Sequence, residues 1–90
     1  MVAVSAEVVM YRTRFCPYCV RAEQLLVRKN AQLTQVDVAG DWEKRRWLAE
    51  VTGQGTVPQI FINGEPIGGC DELYELERQG RLDEMLAQEP

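Results

Sequence analysis

Ninety residues suffice for one hydrophobic core and not for two, because a second domain would need roughly 50 residues of its own. A hydrophobic fraction of 46% beside 27% charged residues excludes a largely disordered chain, and a formal net charge of −4 excludes general affinity for nucleic acid. The charge is uneven: residues 1–46 carry eight Lys and Arg against five Asp and Glu, and residues 65–90 carry two against eight. Such clustering is ordinarily solvated surface, the alternative being an anionic substrate near the basic half.

The start, Met1 to Met10, has no basic n-region, and Glu7 interrupts its only apolar run. No 18-residue apolar stretch exists, so neither a targeting segment nor a membrane span is expected. A cytoplasmic protein follows, where thiols stay mostly reduced and a close Cys pair is catalytic or metal-binding more often than structural.

Glu7 to Tyr11 is a short β-prone run that stops at Arg12-Thr13-Arg14. Pro17 suits the first position of a helix, where a missing N–H costs nothing. Ala22, Leu25 and Leu26 continue at helical spacing to about Arg28. Gln32 to Val38 alternates as a second strand, ended by Ala39-Gly40-Asp41. A second helix starts near Asp41 with Trp47, Leu48 and Val51 as its apolar stripe, and Gly53 and Gly55 end it. Asn63-Gly64 between Gln59–Ile62 and Pro66–Gly68 predicts a hairpin. Asp71 is expected to cap a third helix carrying Leu73 and Leu76 and ending at Gly80; Leu82, Met85 and Leu86 mark a short last one. The order β-α-β-α-β-β-α-α implies an α/β fold whose four-stranded mixed sheet is flanked by helices on both faces.

The chemistry concentrates in Cys16-Pro17-Tyr18-Cys19. A thiol reacts as its thiolate, and a free cysteine near pKa ~8.5 is only slightly ionised at neutral pH. Cys16 falls at the N-cap of the first predicted helix, where unpaired N–H groups and the helix dipole favour negative charge. Arg12 and Arg14 are close in sequence and are candidates to add to this. Cys19 lies one turn on, on the same face and less exposed, which makes Cys16 the expected nucleophile and Cys19 the resolving thiol. Two other readings weigh less. Zinc wants four ligands, and the chain has no His and only Cys70 as a further soft ligand, so no metal is expected. A disulfide between residues three apart closes too small a loop to stabilise a fold much.

Two further segments complete a candidate site. Pro58 cannot donate a ladder hydrogen bond, so Thr56-Val57-Pro58 is left partly unpaired, and Val57 has its N–H and C=O to offer an extended peptide-like ligand. Gly68-Gly69-Cys70-Asp71 turns into a helix and exposes N–H groups suited to a carboxylate, with the Asp71 side chain suited to an ammonium. A plain helix cap at Asp71 and a trans Pro58 are the simpler readings of these residues.

Cys16-Pro17-Tyr18-Cys19, Thr56-Val57-Pro58-Gln59-Ile60-Phe61-Ile62 and Gly68-Gly69-Cys70-Asp71-Glu72-Leu73, in this order and spacing, resemble a bacterial-sized glutaredoxin of the dithiol kind over about residues 7–86. The resemblance implies a thioredoxin-like fold with Pro58 cis and facing the Cys pair. It implies glutathione as the reductant, with Val57 pairing to its cysteinyl part and Thr56 and Pro58 beside it. The γ-glutamyl end would meet the N–H groups of Cys70 and Asp71, entered through Gly69, and the Asp71 carboxylate. Tyr18 would line the groove, and Arg45 would meet the glycyl carboxylate. One departure stands out: the family usually has lysine three residues before the first Cys, and here that position is Thr13, with Arg12 or Arg14 as substitutes of different reach. The implied partners are glutathionylated and disulfide-containing proteins, ribonucleotide reductase among the family's clients, and a monomer is the default. The alternatives are a redoxin served by a flavoprotein reductase, against which the Gly69–Asp71 segment argues, and a non-catalytic iron–sulfur carrier sharing a cluster through Cys16 and glutathione, which Pro17 disfavours.

Overall fold

The computed structural model describes residues 4–90; residues 1–3, part of the stretch expected to lack a targeting signal, lie outside it. Strands β1 (Glu7–Arg12), β2 (Gln32–Asp37), β3 (Gln59–Ile62) and β4 (Glu65–Gly68) form one sheet in the order β2-β1-β3-β4. β1 and β2 are parallel, from Glu7 opposite Gln32 to Arg12 opposite Asp37, and the crossover between them is helix α1 (Pro17–Arg28). The pairs β1–β3 and β3–β4 are antiparallel. Helices α2 (Trp42–Thr52), α3 (Cys70–Arg78) and α4 (Leu82–Ala87) complete the thioredoxin-like arrangement.

Strand alternation divides the apolar side chains between two faces. Val8 and Met10 of β1 and Ile60 and Ile62 of β3 point to one face, where they pack with Ala22, Leu25 and Leu26 of α1, Leu73 of α3, and Leu82 and Leu86 of α4. Val9, Tyr11 and Phe61 point to the other, against Val38 and Leu48. Each fully buried aliphatic side chain in these clusters contributes about 1.5–3 kcal/mol, so the first face, with more of them, carries most of the hydrophobic stabilisation. Among the described residues no helix is long and apolar enough to cross a membrane.

The turns follow from local chemistry. Asn63 and Gly64 adopt φ of 51° and 80°, the left-handed pair a two-residue hairpin needs. Asp41 caps α2, its carboxylate accepting from Lys44 N–H at 3.0 Å.

Two expectations are corrected. The stripe Trp47, Leu48, Val51 is only one residue wide in burial: Leu48 is buried, whereas Trp47 and Val51 stay 42% and 44% exposed. A single helix covers this face, so side chains flanking its contact line end at the rim. There Trp47 stacks on Phe61 at 5.9 Å and meets Tyr11 edge-on. Asp71 is not a cap either: α3 begins at Cys70, with Gly69 as its N-cap and no side-chain cap bond. The preceding Gly68 turns at φ 107°, which starts the helix before Asp71 can reach back.

Candidate active site

Cys16 is the N-cap of α1 and has extended backbone, which points its side chain back over the first turn. Its Sγ accepts the Cys19 N–H at 3.1 Å, so the sulfur occupies the place a serine or aspartate oxygen takes in an ordinary cap. Pro17 follows at the first helical position and withdraws no hydrogen bond. Cys16 and Cys19 are joined as a disulfide with Cα atoms 5.1 Å apart; Cys19 is fully buried and Cys16 retains 9% exposure. The outer sulfur is therefore the one an incoming group can reach. Phe15 is 97% exposed and Tyr18 55%, so apolar surface flanks the pair.

Across from Cys16 stands the segment between α2 and β3. The Val57–Pro58 peptide is cis, and the Val57 carbonyl oxygen lies 3.8 Å from Cys16 Sγ. Neither the N–H nor the C=O of Val57 has a backbone partner among the described residues. An open groove of about 570 Å³ runs from here, lined by Tyr18, residues 54–58 and residues 69–72.

At its far end the N–H groups opening α3 have no side-chain cap, and the dipole makes that end electropositive. Close approach of α3 to the loop depends on Gly69, where an added Cβ would lie 3.0 Å from the Pro58 carbonyl oxygen.

The groove thus brings together Tyr18, Thr56, Val57, Pro58, Gly69, Cys70 and Asp71 beside the Cys pair. Arg45 does not line it but reaches its edge, donating from Nη2 to the Gly55 carbonyl at 3.3 Å. Arg12 and Arg14 turn elsewhere. Arg12 donates to Glu23 at 2.7 Å and to Gln35 at 2.6 Å, and Arg14 to Asp37 at 3.3 Å; neither hydrogen-bonds Cys16. Thr13 offers its carbonyl to Arg12 Nε. The two arginines nearest the Cys pair in sequence are thus each paired with a carboxylate, so neither is free to act on Cys16 directly.

Cys70 is a free, buried thiol; burial pushes its pKa up, Arg21 opposes this, and Asp71 and Glu72 add to it. Among the described residues no cluster of His, Cys, Asp or Glu is arranged to hold a metal ion. A hollow of about 730 Å³ beside α3 is larger than the groove, but Asp71, Glu72, Glu75 and Glu77 dominate it and it holds no thiol.

Three lining residues, Gln54, Gly55 and Glu72, had no site role in the sequence reading, nor did Gln59, which lies beneath the loop. The available signal was Gln59 itself, a polar residue opening the otherwise apolar run Gln59-Ile60-Phe61-Ile62.

A family model described as Glutaredoxin matches residues 8–67. The chain is 49% identical over 80 residues to a glutaredoxin of Pseudomonas aeruginosa, covering 89% of this chain and 95% of that one. It is 43% identical over 81 residues to glutaredoxin 3 of Escherichia coli, covering 90% and 98%. Among solved structures, a buckwheat glutaredoxin–glutathione complex superposes with a TM-score of 0.84 at 33% identity, covering 94% of this chain and 80% of that one.

Proposed function

The chain belongs to the glutaredoxin family, and from that membership we propose that it reduces glutathione mixed disulfides and protein disulfides with glutathione as electron source. The observation that carries the reading is the position of Cys16 Sγ: it caps α1 and lies 3.8 Å from the unpaired Val57 carbonyl, at the head of the groove. A thiolate there receives the Cys19 N–H and the field of the helix N-terminus, both of which favour negative charge on sulfur.

In deglutathionylation, Cys16 thiolate attacks the glutathione sulfur of a mixed disulfide, and the other thiol leaves as thiolate. A second glutathione thiolate then attacks the glutathione sulfur bound to Cys16, releasing oxidised glutathione and restoring the Cys16 thiolate. With a protein disulfide, Cys16 forms the mixed disulfide and Cys19 attacks Cys16 Sγ, releasing the reduced protein. Two glutathiones then reduce the resulting Cys16–Cys19 disulfide. Potentials of about −200 to −230 mV for such proteins lie near the glutathione poise, so flux follows the ratio of reduced to oxidised glutathione.

Glutathione in the groove would pair its cysteinyl backbone with Val57, beside Thr56 and Pro58. Its γ-glutamyl carboxylate would lie on the N–H groups of Cys70 and Asp71, and its ammonium on the Asp71 carboxylate. Tyr18 would cover the sulfur, and Arg45 would meet the glycyl carboxylate from the groove edge. That a buckwheat glutaredoxin of like fold forms a complex with glutathione supports glutathione as the ligand. Arg12 and Arg14, bound to carboxylates, would act on the thiolate only at a distance, which leaves the Cys19 N–H and the helix terminus as the main stabilisers in place of the family lysine at Thr13. The reading makes the protein a cytoplasmic monomer serving glutathionylated and disulfide-bearing proteins, ribonucleotide reductase being one client to test.

The test is NADPH consumption in the presence of glutathione, glutathione reductase and a small glutathione mixed disulfide. Wild type and Cys19→Ser should turn over, and Cys16→Ser should not. With a protein disulfide as substrate, Cys19→Ser should be impaired. Loss of both activities in Cys19→Ser would contradict the division of roles, and wild-type turnover only with thioredoxin reductase would replace glutathione as the reductant.

A further inference from the structure

Residues 54–57, which present Val57 to the groove, have no backbone–backbone hydrogen bond to the rest of the fold among the described residues. Side chains hold them instead. Thr52 Oγ1, its proton given to the Leu48 carbonyl at 2.7 Å, accepts the Gln54 N–H at 3.1 Å, and Arg45 donates to the Gly55 carbonyl. The third tie comes from below: Gln59 Nε2 donates to the Thr56 carbonyl at 3.0 Å and to Gln54 Oε1 at 3.1 Å, with Thr56 Oγ1 at 3.5 Å. Thr52 and Arg45 are partly exposed, whereas Gln59 is 1% exposed and is the only buried polar side chain other than cysteine among the described residues.

The Gln59 carboxamide is poorly suited to a purely structural task. Its Oε1 is buried with no partner, and an unsatisfied buried acceptor is destabilising. Reversing the amide would set Oε1 against the Thr56 carbonyl, acceptor against acceptor, so the orientation is fixed by the loop it holds. Phe61 and the paired Tyr11, which share its face of the sheet, belong to an apolar cluster, and an apolar side chain at 59 would extend that cluster without an orphaned oxygen.

We infer that Gln59 is a positioning residue: its buried Nε2 pins the Thr56 carbonyl and the Gln54 side chain, and so sets the Val57 peptide edge against Cys16 Sγ for substrate. With its Oε1 taken by Gln59, Gln54 keeps its own Nε2 unpartnered among the described residues, a donor on the groove wall that favours an acceptor on the ligand. The inference rests on the glutathione reading and adds the group that preorganises the binding edge.

Gln59→Met keeps the length and removes the donor. It should raise KM for the mixed disulfide of glutathione and 2-mercaptoethanol about fivefold to tenfold, with kcat within about twofold, the pattern of lost ground-state positioning. Its melting temperature should equal or exceed that of wild type. Gln59→Glu supplies a second readout: burial raises the carboxyl pKa, and below that pKa the neutral acid can again donate to the Thr56 carbonyl. The ratio of its KM to that of wild type should therefore fall toward one as pH is lowered.

An unchanged KM in Gln59→Met, a joint fall in kcat and melting temperature, or a pH-independent ratio in Gln59→Glu would each overturn the inference. Absence of glutathione-linked turnover in wild type would sink the glutathione reading and the inference with it. Wild-type turnover alongside an unaffected Gln59→Met would sink the inference alone.

Discussion

At the scale of residues, burial separates three cysteines that composition treats alike. Cys16 keeps a sliver of exposure at a helix terminus, Cys19 lies beneath it, and Cys70 is held as a neutral thiol by burial. In the reduced protein, iodoacetamide should therefore alkylate Cys16 fast and Cys70 slowly, with Cys70 catching up only when denaturant exposes it. Peptide mapping by mass spectrometry after timed quenching would show this, and early labelling of Cys70 would contradict the burial argument. Gly69 is a second residue whose role is spatial. Its φ of −103° is open to any residue, but a methyl group there would press on the Pro58 carbonyl. Gly69→Ala should push the start of α3 away from the Val57 loop, raising KM for glutathione substrates several-fold with little change in melting temperature.

Among elements, α1 shows most directly how local sequence makes a site. Proline at its first position and a sulfur at its cap leave the N-terminal N–H groups to act on the thiol instead of on a conventional capping oxygen. The C-terminal end of the same helix works structurally. Lys29 bridges Glu77 after 2.8 Å and Asp83 after 2.9 Å, tying α1 to α3 and α4, and these hydrogen bonds raise its pKa. Partly exposed pairs of this kind contribute about 0.5–1 kcal/mol, so Lys29→Met should lower stability by that amount near neutral pH.

The pH dependence follows from sign. Lys29 has a folded pKa above its ordinary 10.5, so its contribution is complete below 10.5 and is lost as pH rises through the folded value. Cys70 has a folded pKa raised above that of a free thiol by burial, so the native state resists ionisation and stability declines once pH passes the free-thiol range. Urea midpoints measured from neutral to strongly alkaline pH should fall in both ranges for wild type, and Lys29→Met should lack the later part of the fall.

For the whole molecule, the sheet separates a large core from a small one, and the two should respond unequally to truncation. Leu26→Ala, in the fully buried α1 face, should cost about 2–5 kcal/mol. Val51→Ala, on the half-exposed rim of α2, should stay within about 0.5 kcal/mol. Thermal melts of the two variants would check the ranking, and equal losses would mean that α2 is packed more tightly than its exposure implies. The chain's ends add to the larger core's side: the N–H groups of Ser5 and Ala6 both donate to the Leu86 carbonyl at 3.0 Å, and Asn63 Nδ2 donates to the Gln88 carbonyl.

Element order, the hairpin at Asn63-Gly64, the placement of Cys16 at a helix start and the family were all legible from the sequence, because each depends on neighbours a few residues apart or on motifs that survive as strings. Periodicity, turn residues and proline at a helix start act locally, and local steric and hydrogen-bonding rules need no tertiary partner. Other features depended on what lies opposite in space. That Trp47 sits at a rim, and that Arg12 and Arg14 pair with Glu23 and Asp37, both follow from packing between segments distant in the chain. The same is true of the groove itself, where residues 18, 54–58 and 69–72 become neighbours only because the β1–β3 pairing brings the Val57 loop beside α1, and the β3–β4 hairpin returns the start of α3 to it.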